Sequence, residues 1–97
     1  MTRLVWTLEA IADLESIRDF IGKTSPQYGN VVAARLVEAM ERVRLFPKSG
    51  RVVPEMQRDD IREVIHGYYR LVYRFREDHN LVEVLTVVRA SREFPLI

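Results

Sequence analysis

The sequence predicts an α+β domain in two layers, a helical hairpin packed on one face of a mainly antiparallel four-stranded sheet, in the order β-α-α-β-β-β. Three observations predict it. Residues before Phe46 carry two apolar stripes of helical period. Residues after Asp60 alternate apolar and polar with period 2. Between them, "FPKSGRVVPE" (Phe46 to Glu55) holds two prolines and a glycine, which break both periods. A chain of 97 residues fits one domain, spanning 1–97.

Each element follows in order. "RLVWT", Arg3 to Thr7, is β-rich and reads as the first strand. Thr7 reads as an N-cap, because its hydroxyl can accept an otherwise unbonded amide. Ala10, Leu14, Ile17 and Ile21 then form one helical stripe, widened by Ile11 and Phe20, with Glu9, Asp13, Glu15, Arg18 and Asp19 opposite. The first helix is expected from Leu8 to about Lys23. Ser25 followed by Pro26 marks a second start, since proline at the first helical position has no amide to lose. Val32, Leu36, Ala39, Met40 and Val43 make the second stripe. It must stop by Phe46, because Pro47 disfavours helical geometry in the residue before it. So short a connection predicts an antiparallel hairpin.

Beyond the break, "IREVIH" reads as a strand around Arg62 to His66, and Gly67 as a tight turn. In "YYRLVYRFRE", Tyr69, Leu71, Tyr73 and Phe75 point one way, while Tyr68, Arg70, Val72, Arg74 and Arg76 point the other. "EDHN" is a second turn. In "LVEVLTVVRA", Val82, Val84, Thr86 and Val88 are the expected core set, with Glu83 and Arg89 on the opposite face. "SREFPLI" has too little pattern for an assignment. The helices cover one face of the sheet, so Arg70 and Arg74 are expected on an open face. Gly50 permits a positive φ after the helix stop, and Arg51 is expected to pair with a carboxylate such as Glu55 or Glu63.

Composition excludes several classes. An apolar share of 47% with 30% charged residues belongs to a folded globular chain. With no cysteine there is no disulfide scaffold or thiolate zinc site, and two histidines argue against any metal; no cofactor is expected. There is no apolar run of bilayer length and no signal-peptide pattern, so the expected compartment is the cytoplasm. Net charge is only +1. Yet all eight cations after residue 50 are arginines, namely Arg51, Arg58, Arg62, Arg70, Arg74, Arg76, Arg89 and Arg92. A guanidinium fork suits phosphate or carboxylate. Metal-free RNA cleavage would need a base, an acid and cations around one phosphate. Arg51, Arg62, Arg70 and Arg89 are the candidate cations. Glu55, Glu63, His66, Tyr68 and Tyr69 are the candidate proton carriers. The plainer reading makes Glu55 and Glu63 ion-pair partners, His66 a solvated turn residue, and Tyr69 and Tyr73 core residues.

The ordered set "W…A..DL..I..FI", "FPKSGR.VPE", "IREV….YRLVYR" and "V.VL.VVRASR.F" resembles the RelE/ParE superfamily of type II toxin–antitoxin toxins, and more closely its ParE branch. The resemblance runs from about Arg3 to Phe94. It implies growth arrest, plasmid stabilisation, and neutralisation by a cognate antitoxin that is partly disordered when free, in a heterodimer or heterotetramer. The ParE branch inhibits DNA gyrase as a protein binder, without catalysis. The RelE branch cleaves mRNA on the ribosome, and there Arg70 and Arg89 match its arginines, but "ASREFPLI" offers no tyrosine or histidine as acid or base. A third alternative is a non-toxic member that only binds its antitoxin. Implied target or antitoxin contacts are Arg51, Arg62, Tyr68, Arg70, Arg74, Arg89 and Arg92.

Overall fold

The computed structural model describes residues 1–91. Its order is β1 (Arg3–Trp6), α1 (Leu8–Gly22), α2 (Pro26–Leu45), β2 (Arg51–Val52), β3 (Ile61–His66), β4 (Tyr69–Arg76) and β5 (Leu81–Arg89). One sheet runs β1-β5-β4-β3-β2, antiparallel except for β1 beside β5. The two layers and the helical hairpin are those the periodicity predicts. The sheet has five strands, not four. Arg51 and Val52 add a two-residue edge by pairing with Glu63 and Arg62. The flanking prolines keep that edge short, which is why it reads as a turn in sequence.

Both helix starts are set by their caps. Ser25 Oγ accepts from Tyr28 N at 3.2 Å, with Pro26 at the first helical position. Thr7 Oγ1 accepts from Ala10 N and donates to the Leu85 carbonyl, each at 3.1 Å, so one hydroxyl starts α1 and fastens it to β5. Asp13 adds a second fastening, its carboxylate accepting from Thr86 Oγ1 and from Val87 N. Replacing Thr7 with alanine should therefore cost about 1–2 kcal/mol, the upper range for a lost cap, because the Leu85 carbonyl is also left without its donor. Thr7→Ser should restore nearly all of it in urea unfolding, and equal losses for both substitutions would contradict the hydroxyl's role.

The main core lies between the hairpin and the sheet: Ala10, Leu36, Ala39, Met40 and Val43 from the helices, and Leu71, Tyr73, Val82, Val84 and Val87 from the strands. The hairpin is closed by Gly29, where a Cβ would lie 2.5 Å from the Arg18 carbonyl oxygen. A smaller cluster of Val53, Ile61 and Val72, with Met56 and Leu85 against it, covers the middle of the other sheet face.

The strict alternation expected for β5 fails at Leu85. Val72 pairs with Thr86 but Tyr73 pairs with Val84, so Leu85 has no partner across the ladder and forms a bulge. Beyond it the phase shifts: Val87, paired with Leu71, joins the helix-side core in place of Val88, while Thr86 stays buried and turns its hydroxyl to Asp13 of α1. Arg89, paired with the core-side Tyr69, lies on the helix side and not on the face of Glu83.

Gly67 does adopt a positive φ, 61°, as the first residue of the two-residue β3–β4 turn. Gly50 does not. It is required for space: a Cβ there would sit 2.5 Å from the Tyr73 hydroxyl and 2.7 Å from the Glu63 carbonyl oxygen.

Candidate functional site

The sheet face away from the helices carries the arginines, but they are not an open cationic surface. Because β4 alternates, Arg70 lies beside Val72 and Arg74, across the ladders from Ile65 and Val88. Its guanidinium is almost wholly buried, 5% exposed, and Glu63 beside it is 0% exposed. Arg70 Nε donates to Glu63 Oε1 at 2.8 Å, and its two terminal nitrogens reach the two Glu55 oxygens at 3.3 Å. The second Glu63 oxygen takes Arg51. Burial alone would lower the Arg70 pKa, but the hydrogen bonds from Glu63 and Glu55 outweigh it and hold it above its ordinary value. The result is a compact Arg51–Glu63–Arg70–Glu55 chain. Glu55 belongs to the connection between β2 and β3, so this pairing also ties that connection down over Val72.

A second, wetter network lies nearby. Asp60 accepts from Arg58 Nη2 at 2.8 Å and from Arg74 Nε at 3.0 Å. The Arg58 hydrogen bond, set against some burial, lowers the Asp60 pKa. Arg76 approaches Glu83 at 3.9 Å. Arg62 belongs to the opposite pleat, with Val64 and Tyr73; it donates to the Gly50 carbonyl at 2.9 Å and to Asp59 at 3.1 Å. Beside it the Tyr73 hydroxyl donates to the Pro47 carbonyl and accepts from Gly50 N, and its burial raises its pKa. "FPKSGR" is thereby held by Tyr73 on one side and Arg62 on the other.

The residues expected to act together are thus divided. Arg51, Arg70 and Arg74 share the face away from the helices, all in ion pairs. The open, solvent-facing placement expected for Arg70 does not hold, because Glu63 and Glu55 fold against it from seven and fifteen residues away. Arg62 and Arg89 are on the helix side. Arg92 lies outside the described residues.

Arg89 instead borders a cleft of about 370 Å³ between the hairpin and the β3–β4 turn, lined by Ile21, Val32, Leu36, His66 and Tyr69. Tyr28 and Arg35 of α2 and Tyr68 of the turn complete its rim. Tyr28 and Arg35 were not singled out by sequence, although with Val32 they share one stripe at i, i+4 and i+7. Nothing in a surface arginine of an amphipathic helix marks it until the sheet is brought opposite. Among the described residues no group of three or more His, Asp or Glu side chains could hold a metal, and no helix is long and apolar enough to cross a membrane.

Comparison with known proteins agrees with this architecture. The family described as ParE toxin of type II toxin–antitoxin system, parDE, matches residues 4–94. Toxin RelE2 of Caulobacter vibrioides is 34% identical over 92 residues, covering 95% of this chain and 99% of that protein. The chromosomal ParDE system of P. aeruginosa superposes with a TM-score of 0.73 at 21% identity, over 92% of this chain and 96% of that one. The RelBE2 toxin–antitoxin complex of Mycobacterium tuberculosis superposes at 0.59 and 22%, over 91% and 96%. At these identities the two structures speak for the fold.

Proposed function

This chain belongs to the ParE toxin family of type II toxin–antitoxin systems, and we propose that it arrests growth by binding DNA gyrase and is silenced by a cognate antitoxin. The observation that carries the reading is the dispersal of its arginines. Cleavage of RNA without a metal draws acid, base and cations around a single phosphate. In this fold Arg70 is neutralised by Glu63 and Glu55. Arg62 is spent on Gly50 and Asp59, and Arg89 and His66 border the cleft on the helix side. A toxin that works by binding needs no such cluster. It traps the gyrase–DNA intermediate in which the strands are cut, and the chemistry remains that of gyrase. An antitoxin partner is supported by the solved neighbours, which are toxin–antitoxin systems.

The deciding measurement is supercoiling by purified gyrase with and without this protein. Supercoiling should be lost and cleaved DNA should accumulate on gyrase. Unchanged gyrase activity, together with cleaved mRNA in a translation extract, would replace this reading with ribosome-dependent RNA cleavage. In that case Arg70→Ala and Arg89→Ala should each abolish the cut. Absence of growth arrest when the chain is induced alone would leave only a partner of the antitoxin.

A further inference from the structure

Two side chains of α1 meet β5 where its phase changes. Thr7 Oγ1 donates to the carbonyl of Leu85, the bulge residue itself, at 3.1 Å. Six residues on, Asp13 Oδ2 accepts from Thr86 Oγ1 at 2.6 Å and from Val87 N at 3.0 Å. Leu85, Thr86 and Val87 are thus each bound by α1. The sequence of β5 also fits a second arrangement. Without the bulge, the ladder would set Leu85 opposite Val72, Thr86 opposite Leu71, Val87 opposite Arg70 and Val88 opposite Tyr69. Val82, Val84, Thr86 and Val88 would then alternate regularly toward the helices, as the residue pattern alone reads. Arg89 would turn to the outer face, where Arg51, Arg70 and Arg74 lie.

We propose that Asp13, assisted by Thr7, is a positioning residue that selects the bulged register of β5 and so keeps Arg89 apart from the outer-face arginines. Burial does not select the register. The bulged strand places Val87 in the helix-side core, and the straight strand would place Val88 there, a residue of the same kind. The difference lies in the polar contacts. In the straight register Thr86 moves one place along β4, and Leu85, which has no hydroxyl, takes its position opposite Val72. The hydroxyl and the amide held by Asp13 stand where they do only when Leu85 is the extra residue. Thr86 is 7% exposed, so solvent is a poor substitute for the carboxylate. Hydrogen bonds to an ionised acceptor are also stronger than neutral ones. Bulges commonly serve to re-aim a side chain. Here the side chain is Arg89, whose placement on the helix side is part of the arginine dispersal described above. The register choice itself holds whichever target the toxin has.

The test maps cross-strand backbone contacts by nuclear magnetic resonance on isotope-labelled protein. The parent should show Leu71 against Val87 and Arg70 against Val88. Asp13→Ala should shift these to Leu71 against Thr86 and Arg70 against Val87, the straight set rising about 10-fold or more over its level in the parent. Asp13→Asn keeps an oxygen able to accept from both donors, and should retain the parent contacts. Equal shifts in the two variants would overturn the role given to that oxygen. A contact that merely stabilises the fold leaves the pairing alone, so a folded Asp13→Ala with parent contacts overturns the proposal. If Asp13→Ala does not fold, deletion of Leu85 in the same background is the second variant. With no extra residue, a straight ladder itself places Val87 opposite Leu71, and the register no longer needs Asp13. That chain should fold and keep the parent contacts at Val87 and Val88. Its failure to fold would make Asp13 a stabilising contact without influence on register, and would overturn the proposal.

Discussion

Glu63→Leu should cost the fold roughly 3–5 kcal/mol, the range for breaking a buried ion pair from one side. Neither member of the pair reaches water: the Glu63 side chain is 0% exposed and that of Arg70 is 5% exposed. Removing the carboxylate takes away the shortest bonds to Arg70 and leaves the longer 3.3 Å bonds to Glu55. Arg51 also loses its partner, but its side chain is 61% exposed and water can replace that interaction at little cost. The informative comparison is Glu63→Leu/Arg70→Met. Taking out both charges removes the stranded cation, so the double variant should be more stable than Glu63→Leu by at least about 2 kcal/mol. Urea unfolding of the four proteins reads the cycle directly. A single variant costing under about 1 kcal/mol, or a double variant that merely sums the two losses, would show that Arg70 is not held as the contacts indicate.

Gly50→Ala is the second large effect, with an expected loss of about 3 kcal/mol, the upper end for forcing extra volume into a packed site. The new methyl would lie 2.5 Å from the Tyr73 hydroxyl and 2.7 Å from the Glu63 carbonyl oxygen. Tyr73 cannot swing aside, because its ring is fully buried and its hydroxyl bridges Gly50 N and the Pro47 carbonyl. Trimming it does not rescue the site either. Gly50→Ala/Tyr73→Phe relieves the hydroxyl clash but leaves the backbone oxygen of β3 in place, so it should remain at least about 2 kcal/mol below the parent. Full recovery in the double variant would assign the whole effect to the hydroxyl.

Local signals made much of the fold legible. Thr7, Ser25 and Pro26 announce the helix starts, Pro47 announces the stop, and Gly67 the hairpin turn, because each acts through its own backbone and that of its nearest neighbours. The misreadings share a physical origin in partners distant in sequence. β5 alternates regularly through Glu83 and Thr86 in sequence, so its pattern does not show where its phase reverses; the bulge at Leu85 becomes visible only against Tyr73 and Val72 of β4. Arg70 reads as a surface cation, because a fork that can meet phosphate can equally meet two glutamates. Gly50 reads in sequence as a residue that permits a left-handed backbone, whereas the constraint comes from a tyrosine twenty-three residues away and from the Glu63 carbonyl. The site was legible as a list of arginines but not as a division between two faces, since the side taken by Arg62 depends on its pairing with Tyr73 and that of Arg89 on one extra residue in β5.

The parallel pairing of β1 with β5 has a consequence in time. Thr7 bonds to a carbonyl 78 residues further along the chain. The first strand therefore waits, unpaired, for the last described strand before the sheet can close. At about 5–20 residues per second, synthesis takes several seconds to deliver that partner. The helical hairpin, built from adjacent segments, can form and wait. Its cleft cannot, because Arg89 and the β3–β4 turn supply the opposite wall. A nascent chain thus spends most of its synthesis without a closed sheet, and completion of the sheet forms that cleft in a single late step.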